Sequence, residues 1–347
     1  MNELPDLGLE RWEPTKDTLR LWTQIVGKVR MAVAPPQNHW WHVTLYVDAR
    51  GLTTRRLPAT PNDFEVAFDF IDHRLVVRTT RGDVESFPLV EGLSVARFYE
   101  RFFGLLTALE LDVAIKAEPY ETPGAPPFAE DSERSSYDRA AVERFWHALR
   151  WIDATFAEFG GWFSGKTSPV HFFWHSFDLA LTRFSGRRVP DVSTADRVTR
   201  EAYSHELISF GFWPGDAKVR EPAFYSYTAP EPPGLSERRL RPEAATWQPS
   251  GSSHLALLAY DEVRNVPDPH ATLLEFLQSA YETGAFTAGW DEDGLRSSWW
   301  PGTSFVLGRP PRGQATPVGR PGHPTEAKDP PLHDASSQET RKAVASW

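Results

Sequence analysis

The sequence predicts an α+β fold with a largely antiparallel sheet, arranged as two similar α-β4-α halves with helices packed on one side. In four long segments, apolar residues recur at three- and four-residue steps, the spacing of amphipathic helices. Between them, apolar and polar residues alternate in short runs bounded by turn residues, which is typical of antiparallel strands. Because the same order of elements occurs on both sides of a proline-rich passage, we also predict a degenerate duplication.

The first half, residues 1–120, begins with a helix predicted at residues 15–33 and ended by Pro35-Pro36. Ser94 is the predicted N-cap of a second helix, because a serine directly precedes an apolar stripe there. Strands are predicted in this half at residues 40–47, 64–70, 75–77, 84–89 and 112–117. Residues 121–136 form the proline-rich connector.

The second half, residues 137–290, begins with a long amphipathic helix that ends at Gly160-Gly161. Asp268-Pro269 predicts the start of its last helix, with aspartate at the cap and proline at the first helical position. Strands are predicted at residues 170–183, 205–213, 223–227 and 254–260. The tail, residues 291–347, is rich in proline and glycine, and we expect it to be mostly disordered.

Composition narrows the classes of function. The 347 residues carry a formal charge of −10, which disfavours nucleic acid and anionic membranes as partners and leaves a small molecule as the expected ligand. The chain contains no cysteine, so disulfides, thiolate metal sites and thiol nucleophiles are excluded. It has no apolar run of the roughly 18 residues that a membrane span needs, and no signal sequence, so we expect a cytoplasmic protein.

Two stretches rich in aromatic residues and histidine, residues 38–42 and 170–175, are the most informative local feature. Burying histidine beside large aromatic rings is costly unless the imidazole has a partner, and its proton chemistry lies near neutral pH. Each stretch stands at the start of the first predicted strand of its half. The sequence therefore predicts a pocket where these two strands lie.

The spacing of the histidines limits how they bind a metal. On one strand, His171 and His175 share a face but stand about 13 Å apart, which is too far for one ion. His39 and His42 point to opposite faces. A metal site therefore requires neighbouring strands, and His39, His171 and His205 are the candidate ligands for one Zn or Fe(II) ion. Metal-free acid/base chemistry and purely structural histidines remain as alternatives.

The expected function is that of an enzyme acting on a small molecule. The candidate catalytic residues are His39, His42, His171, His205 and Glu206. The candidate ligand-binding residues are Trp40, Trp41, Lys166, Trp174, Asp178, Arg183, Trp213 and Tyr225. Among these, Lys166 and Arg183 are expected to hold an anionic group, and the tryptophans to exclude water. Asp178 and Arg183 share one apolar run, either as an ion pair or as a polar pocket wall. Alternatives are a non-catalytic module that binds a small molecule or sugar, and a structural or stress protein without a site.

Seven motifs occur in order along the chain, at residues 38–43, 168–174, 177–180, 183–187, 202–206, 211–215 and 221–225. Together they resemble a bacterial domain-of-unknown-function family, number 5996. The resemblance covers roughly residues 10–290, so it implies one continuous unit and leaves the tail outside. It implies no activity. In that family glycine is usual where this chain has His175, which makes the other histidines the stronger site candidates.

Overall fold

The second half of the chain forms a larger sheet than the first, and both sheets are entirely antiparallel. The computed structural model describes residues 4–122, 124–190, 196–217 and 219–300. Its helices are α1 (Glu13–Val33), α2 (Val95–Ala108), α3 (Arg139–Gly161), α4 (Arg197–Ala202), α5 (Tyr260–Arg264) and α6 (Pro269–Thr287). The first-half strands are β1 (Tyr46–Val47), β2 (Gly51–Thr53), β3 (Phe64–Asp69), β4 (Arg74–Thr79) and β5 (Val84–Pro88). The second-half strands are β6 (His171–Phe173), β7 (Asp178–Arg188), β8 (His205–Trp213), β9 (Ala223–Ala229), β10 (Thr246–Ser250) and β11 (Ser253–Ala259).

The strand order confirms the predicted fold class. The first sheet runs β1-β2-β3-β4-β5, with every strand beside its neighbour in sequence. The second runs β10-β11-β9-β8-β7-β6, so only the last hairpin departs from sequence order. Antiparallel neighbours joined by short turns need no crossover helix, which leaves the long helices free to cover one side.

A two-bond bridge joins the two sheets. The backbone N–H of Leu45 donates to the Phe172 carbonyl, and the N–H of Phe172 donates to the Leu45 carbonyl, each with an N···O distance of 2.9 Å. This bridge places Tyr46 beside His171, with their ring centroids 5.5 Å apart. Paired residues on neighbouring strands share a face of the sheet. The register therefore continues across the second sheet as a row that we call the cross-strand row: Tyr46, His171, Ala180, Gly211 and Tyr225.

The long helices lie on the face opposite this row. Phe68 of β3 is stacked parallel to Phe98 of α2, with centroids 6.1 Å apart. Leu181 of β7 lies directly beneath Gly160 of α3. Phe68 and Leu181 each stand next to a residue that lies on the face of the cross-strand row. Successive residues of a strand point to opposite faces, so both side chains point to the other side. We call the side that carries the cross-strand row the outer face of the second sheet.

Capping residues begin the helices where the sequence predicts. The Ser94 hydroxyl accepts a hydrogen bond from the Arg97 N–H over 3.2 Å. Asp268 accepts from the Ala271 N–H over 3.0 Å and is followed by proline at the first turn of α6. Such bonds satisfy backbone donors that have no partner within the helix.

Two predicted strands that contain the histidines have a different structure. Residues 38–43 form a 3-10 segment instead of a strand, with His39 and Trp40 in the left-handed region at φ 55° and 60°. The run 170–183 is a tight hairpin instead of one strand, because the chain reverses between β6 and β7 with Phe177 at φ 61°. Because the alternation of hydrophobicity continues through the turn, the sequence pattern does not indicate where the chain reverses.

Two further differences concern the ends of the halves. Residues 112–117, predicted as a strand, have no strand assignment, and β10 was not predicted. The predicted duplication is not confirmed, since the two sheets have five and six strands and the two histidine stretches have unlike structures. No helix among the described residues is long and apolar enough to cross a membrane.

The beginning of the predicted tail packs against the end of α3. The Ser164 N–H donates to the Leu295 carbonyl over 2.9 Å, and the Ser297 N–H donates to the Trp162 carbonyl over 3.0 Å. Residues 301–347, for which disorder was predicted, lie outside the described residues.

Candidate functional site

Small residues and aromatic rings alternate along the outer face. His171 pairs with Ala180, Ala180 with Gly211, and Gly211 with Tyr225, so two positions with little or no side chain stand between two large ones. Next to them Thr182 pairs with Ser209, and the two hydroxyl oxygens are 3.1 Å apart. The outer face thus combines small, partly polar side chains with large rings.

His171 is the most deeply buried histidine of the outer face, at 1% exposure. Its ring lies 5.8 Å from those of Trp41 and Phe173, centroid to centroid. Within the described part of the chain, its Nε2 has no hydrogen-bond partner. Burial lowers the pKa of His171 to about 3, and the nearby charges of Arg30 and Arg55 act in the same direction. The imidazole is therefore neutral at physiological pH and keeps one ring nitrogen available.

Asp178 and Tyr225 form a hydrogen-bonded pair on the same face. The Asp178 carboxyl accepts hydrogen bonds from the Tyr225 hydroxyl and from the Ser176 hydroxyl. Burial raises the pKa of Asp178, although both hydrogen bonds oppose that shift. The Tyr225 ring lies flat over Gly211, and a methyl group at that glycine would overlap it. The absence of a side chain at Gly211 is thus what allows the phenol to reach Asp178.

Two further tyrosines extend this polar network. The hydroxyl oxygens of Tyr203 and Tyr227 are 3.1 Å apart, and the Tyr225 and Tyr227 rings are stacked with centroids 6.3 Å apart. Burial raises the pKa of all three tyrosines, so each keeps its proton at neutral pH and remains a donor.

A second cluster of titratable groups lies at the edge of the outer face, where the 3-10 segment meets α4. His39 Nδ1 lies 3.0 Å from the Ala202 carbonyl oxygen, and its Nε2 lies 2.6 Å from Lys166 Nζ. A neutral His39 protonated on Nδ1 satisfies both contacts, donating to the carbonyl and accepting from the ammonium. Burial lowers the pKa of His39 and also that of Lys166.

Aromatic rings hold this edge cluster in place. The His39 ring packs on Phe184 at 4.5 Å and on Trp41 at 5.3 Å, centroid to centroid. Lys166 Nζ is 5.2 Å from the Trp41 ring centroid, within the range of a cation–π contact. The His205 ring is 5.7 Å from that of His39. Trp41 contacts both His39 and His171, so it connects the edge cluster to the cross-strand row.

Arg183, predicted to bind ligand, lies on the opposite face from Asp178. The two residues are five positions apart on β7, an odd number, so they point to opposite sides. Arg183 is buried between Phe159 and Tyr281, with its guanidinium carbon 3.6 Å and 4.6 Å from the ring centroids. Burial lowers the pKa of Arg183 to about 9. It forms neither an ion pair with Asp178 nor a wall of the site.

Trp174 and Glu206 have structural partners outside the cross-strand row. Trp174 Nε1 donates to the Val43 carbonyl over 2.7 Å, and its ring occupies the space that the missing side chain of Gly27 leaves in α1. Glu206 forms an ion pair with Arg187 over 2.7 Å.

The remaining predicted residues lie at the 3-10 segment, in the case of His42 and Trp40, and on β8, in the case of Trp213. His42 Nδ1 accepts from the Gln37 N–H over 3.2 Å, and its ring lies 5.2 Å from that of Trp40, behind the 3-10 segment. Burial lowers the pKa of His42. Trp213, at the end of β8, is buried and shares the face of Gly211, two residues before it.

The three histidines predicted as metal ligands do not form a metal site. Among the described residues, no group of three or more histidine, aspartate or glutamate side chains is arranged to hold an ion. His39 and His205 are neighbours, whereas His171 lies on the far side of Trp41, and Lys166 already contacts His39 Nε2. The described residues therefore give no support to the predicted Zn or Fe(II) site at these three ligands.

Sequence reasoning missed five residues of the site. They are Arg30, Tyr46, Arg55, Tyr203 and Tyr227. The alternation of Tyr225 with Tyr227 on one strand was an available signal, since both point to one face. No local pattern reveals Arg30 or Arg55, because α1 and the end of β2 meet Tyr46 only in the folded chain.

Comparison with known proteins gives a family and no activity. The sequence model of a family of unknown function, DUF5996, matches residues 4–297. No curated protein and no solved structure matches the chain. The match ends three residues before the described region does, and it includes both sheets and all the helices of the described residues.

Proposed function

Since the chain belongs to DUF5996, a family of unknown function, we propose its function from the geometry of the site alone. In this proposal the protein is an enzyme that binds a small molecule on the outer face and moves protons with His171 and Asp178. The observation that carries it is the opposite displacement of two pKa values on one sheet face: that of Asp178 is raised, and that of His171 is lowered. Enzymes assign acid and base roles in this way.

The two groups have complementary protonation states. Burial shifts the pKa of Asp178 upwards, towards the protonated form, and in this proposal the protonated carboxyl beside the Tyr225 hydroxyl is the proton donor. His171 is neutral, and in this proposal its Nε2, which is buried without a hydrogen-bond partner in the described residues, accepts the proton. A proton that leaves the substrate for Nε2 is matched by one delivered from the Asp178–Tyr225 pair, so the site ends the step with its total charge unchanged.

The spacing of these groups suits a small substrate. His171 pairs with Ala180 and Phe173 pairs with Asp178, so His171 and Asp178 are diagonal neighbours on adjacent strands. Such neighbours are about 7–8 Å apart at the backbone. Trp41 on one side and Tyr227 on the other supply ring faces that stack on a planar or sugar-like ligand and exclude water.

A non-catalytic binding protein is the second candidate. The observation that favours it is the depth of the His171 shift, because an imidazole with a pKa of about 3 is a weak base. In this alternative the same rings and hydroxyls bind the ligand, and Nε2 serves only as a hydrogen-bond partner.

A ligand screen followed by turnover assays separates the two candidates. Metabolite mixtures are added to the wild type, to His171→Gln and to Asp178→Asn, and binding is followed by tryptophan fluorescence. Each ligand found is then incubated with a catalytic amount of protein, and its conversion is followed by proton NMR. We expect conversion by the wild type and a loss of about 100-fold or more in either variant, the usual effect of removing a general acid or base.

His270→Gln is the matched control, because that histidine is 45% exposed and paired with Glu158 on the surface. It should bind and convert like the wild type. Ligands that bind the wild type through His171 without being converted would support the binding protein instead. Ligands that bind His171→Gln and Asp178→Asn as tightly as the wild type would place the site elsewhere.

A further inference from the structure

Two arginines from different elements converge on Tyr46, the neighbour of His171 in the cross-strand row. The guanidinium carbon of Arg55, just after β2, lies 3.5 Å from the Tyr46 ring centroid. That of Arg30, near the end of α1, lies 5.4 Å from the same centroid. Both charges act on His171 and lower its pKa. The cations are thus part of the surroundings of His171.

Neither arginine is ion-paired with a carboxylate in the described residues. Arg30 is 7% exposed, and its neutral partners include the Thr54 carbonyl, to which one guanidinium nitrogen donates, and the Tyr46 hydroxyl. Its Nε has no hydrogen-bond partner there. An unpaired buried charge with an unused donor is costly, so a protein that keeps one has a reason to do so. A bound anion supplies that reason.

The backbone holds Arg55 over Tyr46 in an uncommon conformation. Arg55 lies in the left-handed region at φ 54°, a region that side chains other than glycine seldom occupy. Its N–H donates to the Thr53 hydroxyl over 2.8 Å, and its carbonyl accepts from the Thr54 hydroxyl over 2.8 Å. Such over-determined local strain clusters at ligand sites. The guanidinium is therefore directed to this place by its own backbone.

The carboxyl group that acts on this pair from a distance is that of Asp153, on α3. Asp153 forms no ion pair with either arginine, and burial raises its pKa to about 6. A carboxyl with that pKa is mostly ionised near neutral pH, and His171 is neutral, so the two arginines and Asp153 together carry about one positive charge. A phosphate monoester near neutral pH carries a charge of about −1.5 to −2, opposite in sign to this excess. Guanidinium forks also suit the oxygen geometry of phosphate.

We infer that Arg30, Arg55 and Tyr46 form a subsite for a phosphate monoester group. This inference rests on the proposed function, because it names the class of substrate for the same site: a small phosphorylated molecule anchored beside His171. The anionic group lies at the Tyr46 end of the cross-strand row, and the rest of the molecule extends towards Asp178 and Tyr225. The sequence had predicted that Lys166 and Arg183 bind the anionic group, but Arg183 lies on the opposite face of the sheet.

Inorganic phosphate is the direct probe. Its binding to the full chain is measured by isothermal titration calorimetry at constant ionic strength, with Arg55→Gln as the test variant. We expect phosphate to bind the wild type, and Arg55→Gln to weaken the affinity by at least about tenfold, the effect of one charge-assisted hydrogen bond. Arg56→Gln is the matched control, because the next arginine is 70% exposed and paired with Asp63. It should leave the affinity unchanged.

Arg30→Lys tests the buried partner while keeping its charge. It should also weaken phosphate binding, since an ammonium lacks the fork of donors, and circular dichroism checks that the variant is folded. Failure of phosphate to bind the wild type, or equal affinity in Arg55→Gln and Arg56→Gln, would overturn the subsite. Acetate binding as tightly as phosphate would overturn the assignment to a phosphate group.

These experiments distinguish failure of the phosphate subsite from failure of the proposed enzymatic function. Phosphate binding that depends on Arg55, without any conversion that depends on His171, leaves the subsite standing and removes the enzyme. Conversion of uncharged molecules that depends on His171, without phosphate binding, does the reverse.

Discussion

At the scale of the residue, an aromatic shell fixes the charge of His171. Trp41, Tyr46 and Phe173 surround the imidazole with rings whose centroids lie within 6 Å, so the protonated form loses its hydration without gaining a carboxylate. The two nearby guanidinium groups add repulsion to desolvation. Both effects favour the neutral imidazole, and neither depends on the ligand.

This displaced pKa predicts how stability depends on pH. Protonation of His171 is easier in the unfolded chain, at about its ordinary pKa of 6.5, than in the folded protein, at about 3. Its contribution to stability is therefore fully present above pH 6.5 and is lost as the pH falls from there towards 3. We expect His171→Gln to remove up to about 1.4 kcal/mol per pH unit from the slope of the unfolding free energy in this interval.

Urea denaturation of both proteins at half-unit steps of pH measures the difference. His175, whose pKa burial also lowers to about 4, is present in both and cancels in the comparison. His270→Gln, the surface control, should follow the wild type. Parallel pH profiles for the wild type and His171→Gln would contradict the buried, neutral imidazole.

At the scale of the element, β8 serves the site by lacking a side chain at one position. Gly211 stands between Ala180 of β7 and Tyr225 of β9, and the Tyr225 ring crosses over it to reach Asp178. Glycine inside a strand normally weakens the strand. Here the close approach of a ring to the backbone requires it.

We predict that Gly211→Ala destabilises the protein by about 1–3 kcal/mol, because the new methyl overlaps the Tyr225 ring and a packed sheet cannot absorb it without moving that ring. It should also reduce activity, since Tyr225 leaves Asp178. Gly104→Ala in α2 is the matched control: its added methyl meets open space, and it should stabilise the helix by about 0.5–1 kcal/mol.

Thermal unfolding of the two variants measures the contrast directly. A Gly211→Ala protein as stable as the wild type would show that Tyr225 moves freely. The Asp178–Tyr225 contact would then be incidental to the site.

The same scale explains how much of the fold the sequence predicts. The caps Ser94 and Asp268 and the helices that follow them depend on residues a few positions apart, so local patterns predict them correctly. The hairpin at residues 174–177 does not, because alternation has the same period before and after the chain reverses. Left-handed residues such as His39 leave no trace in hydrophobicity.

The site divides in the same way. His171 and Asp178 were predicted because polar groups among apolar residues need a partner, and Tyr225 belongs to one of the motifs that resemble the family; all three lie on the outer face. Their neighbours depend on register, which no single strand encodes. Arg183 shows what is missed when the facing of a strand residue is not considered. An odd number of residues separates it from Asp178, so it lies in the helix-covered core and not on the outer face.

At the scale of the whole molecule, the two sheets share one core. Phe145 of α3 stacks on Phe177 of the β6–β7 turn with centroids 5.4 Å apart, while Glu143 on the same helix contacts His73 of the first sheet over 3.0 Å. The bridge between Leu45 and Phe172 ties the sheet edges together beneath Tyr46 and His171. The site spans this junction, so its geometry depends on both halves. The division into halves at residues 121–136 stays a prediction.

We therefore predict that the halves unfold together. Phe172→Ala removes a fully buried ring at the bridge and should lower the unfolding free energy by about 3–5 kcal/mol. Native-state hydrogen exchange should show an equal loss of protection in β3–β4 and in β7–β8, because one core supports both sheets. Phe286→Ala, at a ring 63% exposed, should change protection by no more than about 0.5 kcal/mol. Loss confined to β7–β8 would mean that the first sheet is stable alone, and that the Tyr46 end of the site moves independently of His171.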